Sequence, residues 1–171
     1  MSGCTSWIAA RSTIGGSVAN SDPAADYPAA VLGLGATITT NSRTIKADDF
    51  FKGLFETALE DGELITSISF PKADKAGYMK FPNPASRYAM VGVFVAKLRD
   101  GSVLVVVTGA GQNGVFRHTA MEQALASNLS PDTIANVTTP ASEMNADIHG
   151  SAEYRAHLVG VMAKRALAKL R

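Results

Sequence analysis

The chain has 171 residues, 46% of them hydrophobic and only 18% charged, so a sizeable core is available and a disordered, solvated chain is excluded. Sixteen basic and fifteen acidic side chains leave a formal charge of +1, which argues against a nucleic-acid protein held mainly by phosphate contacts. The single cysteine, Cys4, makes no internal disulfide and no metal cluster. The longest apolar run, residues 89–96, is far shorter than the ~18 residues of a membrane helix. Residues 1–7 lack the basic start and apolar stretch of a secretion signal. A soluble, cytoplasmic globular protein with no membrane span is expected.

The chain divides near residue 73, giving an expected domain 1–73 and a second, 74–171, joined by a polar linker over 71–77. In the first part Gly15-Gly16 predicts a turn. Asp26 then stands as N-cap of a helix over 27–34, with Pro28 in its first turn and Gly35 as a left-handed stop. Residues 36–40 and 43–46 predict a hairpin around Asn41-Ser42. Residues 48–59 are weakly helical, and 63–70 alternate as a strand that ends at Pro71. The second part opens with a strand over 78–81. Two apolar strands, 88–98 and 102–108, follow around Asp100-Gly101, a strong hairpin signal. Helices are expected over 117–127, from Ser130 with Pro131 in its first turn, and from Ser151 to the end. The last has an apolar face of Tyr154, Leu158, Val161, Met162, Ala166 and Leu170. This order fits an α+β fold with an antiparallel sheet and helices on one face better than a βαβ series.

The most informative stretch is 13–28. Two adjacent glycines remove both Cβ atoms, so backbone N–H groups can come close to a ligand and form a nest for an anion such as a pyrophosphate. Thr13 and Ser17 flank them with hydroxyls. Asp26 precedes a helix, where it can cap the helix or accept a hydrogen bond from a ligand hydroxyl. The same residues also suit a plain Gly-Gly turn before an Asp-Pro helix start. Residue types alone leave both open.

The longer pattern adds a resemblance. Thr13-Ile14-Gly15-Gly16-Ser17, then Asp22-Pro23-Ala24-Ala25-Asp26 and a helix ending in Leu34-Gly35-Ala36, resemble the flavin-binding segment of the medium subunit of molybdenum hydroxylases. This is the family of xanthine dehydrogenase and aerobic carbon monoxide dehydrogenase. The likeness continues through Phe50-Phe51-Lys52-Gly53, Gly62-Glu63-Leu64-Ile65, Tyr78-Met79-Lys80-Phe81 and Arg87-Tyr88-Ala89-Met90, and ends on Ser151-Ala152-Glu153-Tyr154-Arg155. It covers most of the chain and looks nearest to the carbon monoxide dehydrogenase branch.

The resemblance implies part of an FAD-binding subdomain, a sheet plus helix, followed by an antiparallel sheet with helices on one face, like the C-terminal part of the carbon monoxide dehydrogenase flavoprotein. It implies that Thr13, Ile14, Gly15, Gly16 and Ser17 line the FAD pyrophosphate. Asp22 and Asp26 would bind polar groups of the cofactor. Leu64 and Ile65 would offer backbone groups and apolar contact to the isoalloxazine. Lys80 would lie near the flavin and Tyr88 beside its ring. The family has another glycine-rich flavin loop ahead of the segment matched at Thr13, so the chain is expected to lack an N-terminal flavin subdomain. No residue need act as a catalytic acid or base, because the cofactor carries the redox chemistry. The implied partners are a large subunit with a molybdenum cofactor and a small subunit with iron–sulfur clusters.

Two other readings compete: a flavin-free module that docks on partner subunits, and a nucleotide site at residues 109–114, which match Gly-x-Gly-x-x-Gly. The second is weak, because the Asp-Gly hairpin ahead of it indicates an antiparallel sheet and no ribose-binding acid follows a second parallel strand. His118, His149 and His157 sit apart and are expected as surface or capping histidines, with no metal role.

Overall fold

In this computed structural model, which describes residues 13–171, the chain opens with two short helices, α1 (Ile14–Asn20) and α2 (Tyr27–Gly33). Cys4 and residues 1–7, on which the expectations about thiol pairing and secretion rest, lie outside the described residues. Gly15 and Gly16 do not form a separate turn. They occupy the first turn of α1, and neither has a left-handed φ. The helix forms in spite of them because the Thr13 side chain accepts from the Gly16 N–H at 3.0 Å, while Val18 is fully buried. Helix α2 begins after Asp26, whose side chain makes no capping bond, and carries buried Pro28 in its first turn. It ends as expected: Gly35 has φ +60°, and the amides of Gly35 and Ala36 return to the carbonyls of Leu32 and Val31 at 3.1 and 3.0 Å.

Strands β1 (Thr37–Thr40) and β2 (Thr44–Lys46) form the expected hairpin. The stretch expected as a helix over 48–59 holds only one turn, α3 (Ala47–Phe50), before β3 (Phe51–Gly53) and β4 (Glu56–Thr57). Packing overrides the weak helical pattern there. Phe50 is fully buried, Phe51 meets it edge-on with ring centroids 5.2 Å apart, and Phe55 turns the hairpin at φ +55°. Strand β5 (Ile65–Ser69) pairs with β1 in a three-stranded antiparallel sheet ordered β2-β1-β5.

The stretch expected as a linker is instead sheet. β6 (Ala73–Pro82) starts at the join and pairs antiparallel with β7 (Ala89–Leu98) from Ala73↔Leu98 onward. Gly77 lets β6 pass close to the last helix, since a Cβ there would sit 2.5 Å from the Ala166 carbonyl oxygen. β8 (Val103–Thr108) follows through the Asp100-Gly101 turn, with Gly101 at φ +91°, and β9 (Phe116–Arg117) closes the sheet order β6-β7-β8-β9. Helix α4 (Thr119–Leu125) is capped by His118, whose Nδ1 accepts from the Met121 N–H at 3.3 Å. No helix forms from Ser130. Residues 131–136 make successive turns, because only Ile134 among them is fully buried and the run offers no apolar face. After a 3-10 turn (Ala141–Glu143), Ser151 caps α5 (Ala152–Leu167). Its buried stripe is Leu158, Val159, Met162, Ala163, Ala166 and Leu167 together with Arg155, so the stripe is rotated from the expected one and leaves Tyr154 exposed.

The two central strands of the four-stranded sheet are buried on both faces. Val91, Val93, Val95, Val103, Val105 and Val107 pack against α4 and α5. Phe94, Ala96 and Val106 on the opposite face share a second core with Val31, Ile38 and Phe50. Gly33 in α2 makes room for this contact: a Cβ there would lie 2.4 Å from the Phe94 ring. The packing therefore runs across residue 73. No helix of the described residues is long and apolar enough to cross a membrane.

Two glycines test the α5 packing. Gly77→Ala forces a methyl onto the α5 backbone and is expected to destabilise the protein by about 1–3 kcal/mol. Gly160→Ala, mid-helix with nothing within 4 Å, is expected to stabilise it by about 0.5–1 kcal/mol. Urea midpoints of the two variants moving in the same direction would contradict this packing.

Candidate functional site

The loop between α1 and α2 fixes the positions of the site residues. Asp22 accepts from the Ala24 N–H at 2.9 Å, a local turn that occupies one of its carboxylate oxygens. The Pro23 carbonyl accepts from the Gly109 N–H at 2.7 Å, and the Thr108 hydroxyl lies 3.0 and 2.8 Å from the carbonyls of Pro23 and Ala25. Gly109 suits this seam. It has φ +83°, and a Cβ would lie 2.4 Å from the Ala89 carbonyl oxygen. The loop is thus stapled to the end of β8, and Gly109 serves packing in an antiparallel sheet.

Beyond the staple, Asp26 faces β6. Its Oδ1 accepts from the Tyr78 hydroxyl at 2.5 Å and its Oδ2 from the Lys80 ammonium at 2.6 Å. Two residues singled out from the sequence, Asp26 and Lys80, therefore meet through a direct ion pair. Burial, and then the hydrogen bond to Asp26, push the Tyr78 hydroxyl well above its ordinary pKa, so it stays a donor at any physiological pH.

At the start of α1 the amides of Ile14 and Gly15 have no carbonyl one turn back in their own helix. Thr13, Ile14 and Gly16 are exposed, and Ser17 is half-buried. The helix start leans on β5: a Cβ at Gly15 would lie 3.8 Å from the Ile65 side chain. Ile65 packs into the second core, while Leu64 before it is 68% exposed. The backbone groups of Leu64 are taken, since its N–H donates to Asn41 Oδ1 at 2.9 Å and its carbonyl accepts from the Asn41 N–H at 3.0 Å. Only its side chain is offered outward. Beneath this pinch lies buried Glu63, bound by Arg43 through both carboxylate oxygens at 3.0 Å and by the Thr40 hydroxyl at 2.7 Å. Arg43, Thr40 and the Glu60 amide hold the Glu63 carboxyl at about 2, far below the usual carboxylate range.

Tyr88 stands at the rim of an open cleft of about 470 Å³ that it shares with Pro23, Ala24, Gly109, His149 and Arg155. Arg155 is buried and ties the cleft floor together, donating to the carbonyls of Met90 and Gly109 at 2.8 and 3.0 Å and to Asp147 at 2.7 Å. Among the described residues no hydrogen bond links Leu64 or Tyr88 to the Asp26–Lys80 pair. Tyr78, Asn41, Thr108 and Arg155 are given no site role by the sequence. Tyr78 alone left a signal, since it lies two residues before Lys80 on a strand and so shares its face.

Residues 6–73 match the FAD binding domain in molybdopterin dehydrogenase. Across 90% of its length the chain is 35% identical to the glyceraldehyde dehydrogenase medium chain of Sulfolobus acidocaldarius, and it covers 59% of that protein. It is 31% identical to the carbon monoxide dehydrogenase medium chain of Afipia carboxidovorans, over 91% of this chain and 59% of the relative. The reconstituted CO dehydrogenase from Oligotropha carboxidovorans superposes with a TM-score of 0.79 at 29% identity, covering 95% of this chain and 62% of that one. The fold is shared with that CO dehydrogenase chain, and the 13–26 segment lies within the residues matched to the FAD binding domain. The chain is similar to the medium chains of these enzymes, and it spans about three fifths of the length of the relatives it matches.

The Glu63 network sets a pH dependence. Its folded-state pKa is depressed to about 2, so its contribution to stability is complete above the unfolded value near 4.5 and is lost as pH falls toward about 2. Glu63→Gln is expected to lower the urea midpoint at pH 7, with the gap from wild type narrowing steadily between pH 5 and pH 3. A gap independent of pH would remove the ionised carboxylate from the account.

Proposed function

We propose that this chain holds FAD as the medium subunit of a multi-subunit, molybdenum-containing oxidoreductase of the cytoplasm. In this reading it lies between a small iron–sulfur subunit, from which electrons arrive, and an external acceptor, to which they leave. A large subunit carries the molybdenum cofactor and the substrate. The observation that carries the proposal is the 13–26 segment: a glycine-bearing helix start and an acid locked to a lysine, within the matched FAD domain.

The residues fit the cofactor. A Cβ at Gly16 would come within 3.2 Å of Thr13 Oγ1, so the glycine leaves the Thr13 cap uncrowded, and the exposed helix start it forms would receive a diphosphate. Asp26 is paired with Lys80 and retains acceptor capacity for hydroxyl donors, while exposed Leu64 and Tyr88 offer apolar and aromatic surface for a ring system. FAD, when bound, supplies the redox chemistry; the side chains bind, orient and tune it. Thr13, Ile14, Gly15, Gly16 and Ser17 would hold the diphosphate. Asp22 and Asp26 would hold polar groups, with Leu64, Ile65, Lys80 and Tyr88 around the isoalloxazine.

The test is the visible absorbance of the purified protein, alone and after mixing with FAD. Wild type is expected to retain flavin. Gly16→Trp is expected to lose at least about tenfold in FAD affinity with an unchanged circular-dichroism spectrum. Full yellow absorbance in that variant would overturn the diphosphate assignment. A folded wild type that takes up no FAD would indicate a flavin-free docking module.

A further inference from the structure

Tyr78 has no role in the sequence reading, yet the packing around it is specific. It lies on β6 opposite Phe94 of β7, and Lys80 lies opposite Gly92. The Tyr78 and Phe94 rings pack tilted, with centroids 6.4 Å apart. Gly92 leaves the space that the phenol fills: a Cβ there would lie 2.4 Å from the Tyr78 hydroxyl oxygen. Gly33 does the same for Phe94, as its contact with α2 requires. The hydroxyl is therefore aimed by a chain of contacts running from α2 through Phe94 to β6, and it ends on Asp26 Oδ1.

Asp26 sits at a helix start without capping it, and it is 44% exposed in its side chain. Its two oxygens offer about four acceptor positions. Tyr78 takes one and Lys80 another, on different oxygens, so both oxygens keep an open acceptor position. An exposed carboxylate with no second anchor would rotate about its side-chain torsions. One held at both oxygens presents its free lone pairs in a fixed direction, the arrangement that suits adjacent hydroxyl groups of a sugar or polyol.

We propose that Tyr78 is a positioning residue of the flavin site, acting through Asp26 to hold that carboxylate and the Lys80 ammonium in place for a ligand's hydroxyl groups. This rests on the FAD reading above. The hydroxyls can belong to the ribityl chain or to the ribose of the adenosine half, and the chemistry is shared.

A double-mutant cycle in FAD affinity, read by flavin fluorescence on the full chain, separates the alternatives. Tyr78→Phe keeps the ring and its stack on Phe94, so its melting temperature is expected to stay near wild type. Its FAD dissociation constant is expected to rise about tenfold, the size of one hydrogen bond to a charged group. In an Asp26→Ala background the same change is expected to cost nothing further, which a merely structural role would not produce. An equal penalty with FMN, which lacks the adenosine ribose, assigns the ribityl hydroxyls; a penalty confined to FAD assigns the ribose. An affinity within twofold of wild type, or a penalty undiminished without Asp26, would overturn the role of Tyr78 while leaving FAD binding intact. A wild type that binds neither flavin removes the parent reading itself.

Discussion

The central constraint is a pair of sheet strands, β7 and β8, with no face left for water. β7 and β8 alternate apolar residues toward both sides, so neither side can be left to solvent without exposing valine, phenylalanine and leucine. Burying one such side chain contributes about 1.5–3 kcal/mol, and the strands carry several on each face. One side is closed by α4 and α5, which lie after the sheet in the chain. The other is closed by α2 and the small β2-β1-β5 sheet, which lie before it. The segment matched to the FAD binding domain is therefore also the cover of the second core.

This double duty explains why the loop before α2 is built as it is. A cover has to be anchored where it meets the sheet, and Thr108 and Gly109 at the end of β8 supply the anchor by bonding the carbonyls of Pro23 and Ala25. Once that loop is fixed, Asp26 comes within reach of β6, where Tyr78 and Lys80 share a face. The Asp26–Lys80 pair is only partly buried, so its worth to stability is small, on the order of the 0–1 kcal/mol of exposed pairs. Its value lies in orientation. A weak stabiliser with a fixed geometry suits a binding role better than a structural one.

Much of this was legible in the sequence because it depends on local chemistry. The α2 stop at Gly35, the Asp100-Gly101 hairpin and the start of the last helix near Ser151 each appear where expected. Where packing decides, the pattern misled. The polar stretch 71–77 suggested a linker, yet a strand runs through it because β7 needs a partner and Gly77 lets α5 pass. The weak helical run after Asp48 gave way to a hairpin once Phe50 was drawn into the core. Asp26 stands where a cap belongs but turns to Lys80, fifty-four residues away, a choice no local pattern contains.

The positions of Leu64 and Tyr88 show how far a fixed backbone can carry exposed apolar groups. Leu64 stands outward although the strand beginning at Ile65 turns inward. Asn41 occupies both of its backbone groups, and the Glu63–Arg43 pair beneath holds the two loops together. Tyr88 is set by a tight turn in which Arg87 takes φ +65°, a conformation uncommon for a residue with a side chain. Its carbonyl accepts from the Asn83 amide at 2.8 Å. The backbone is not free to withdraw these exposed apolar side chains, so if an apolar ligand surface covers them, as the proposed function requires, they would meet it without reorganising.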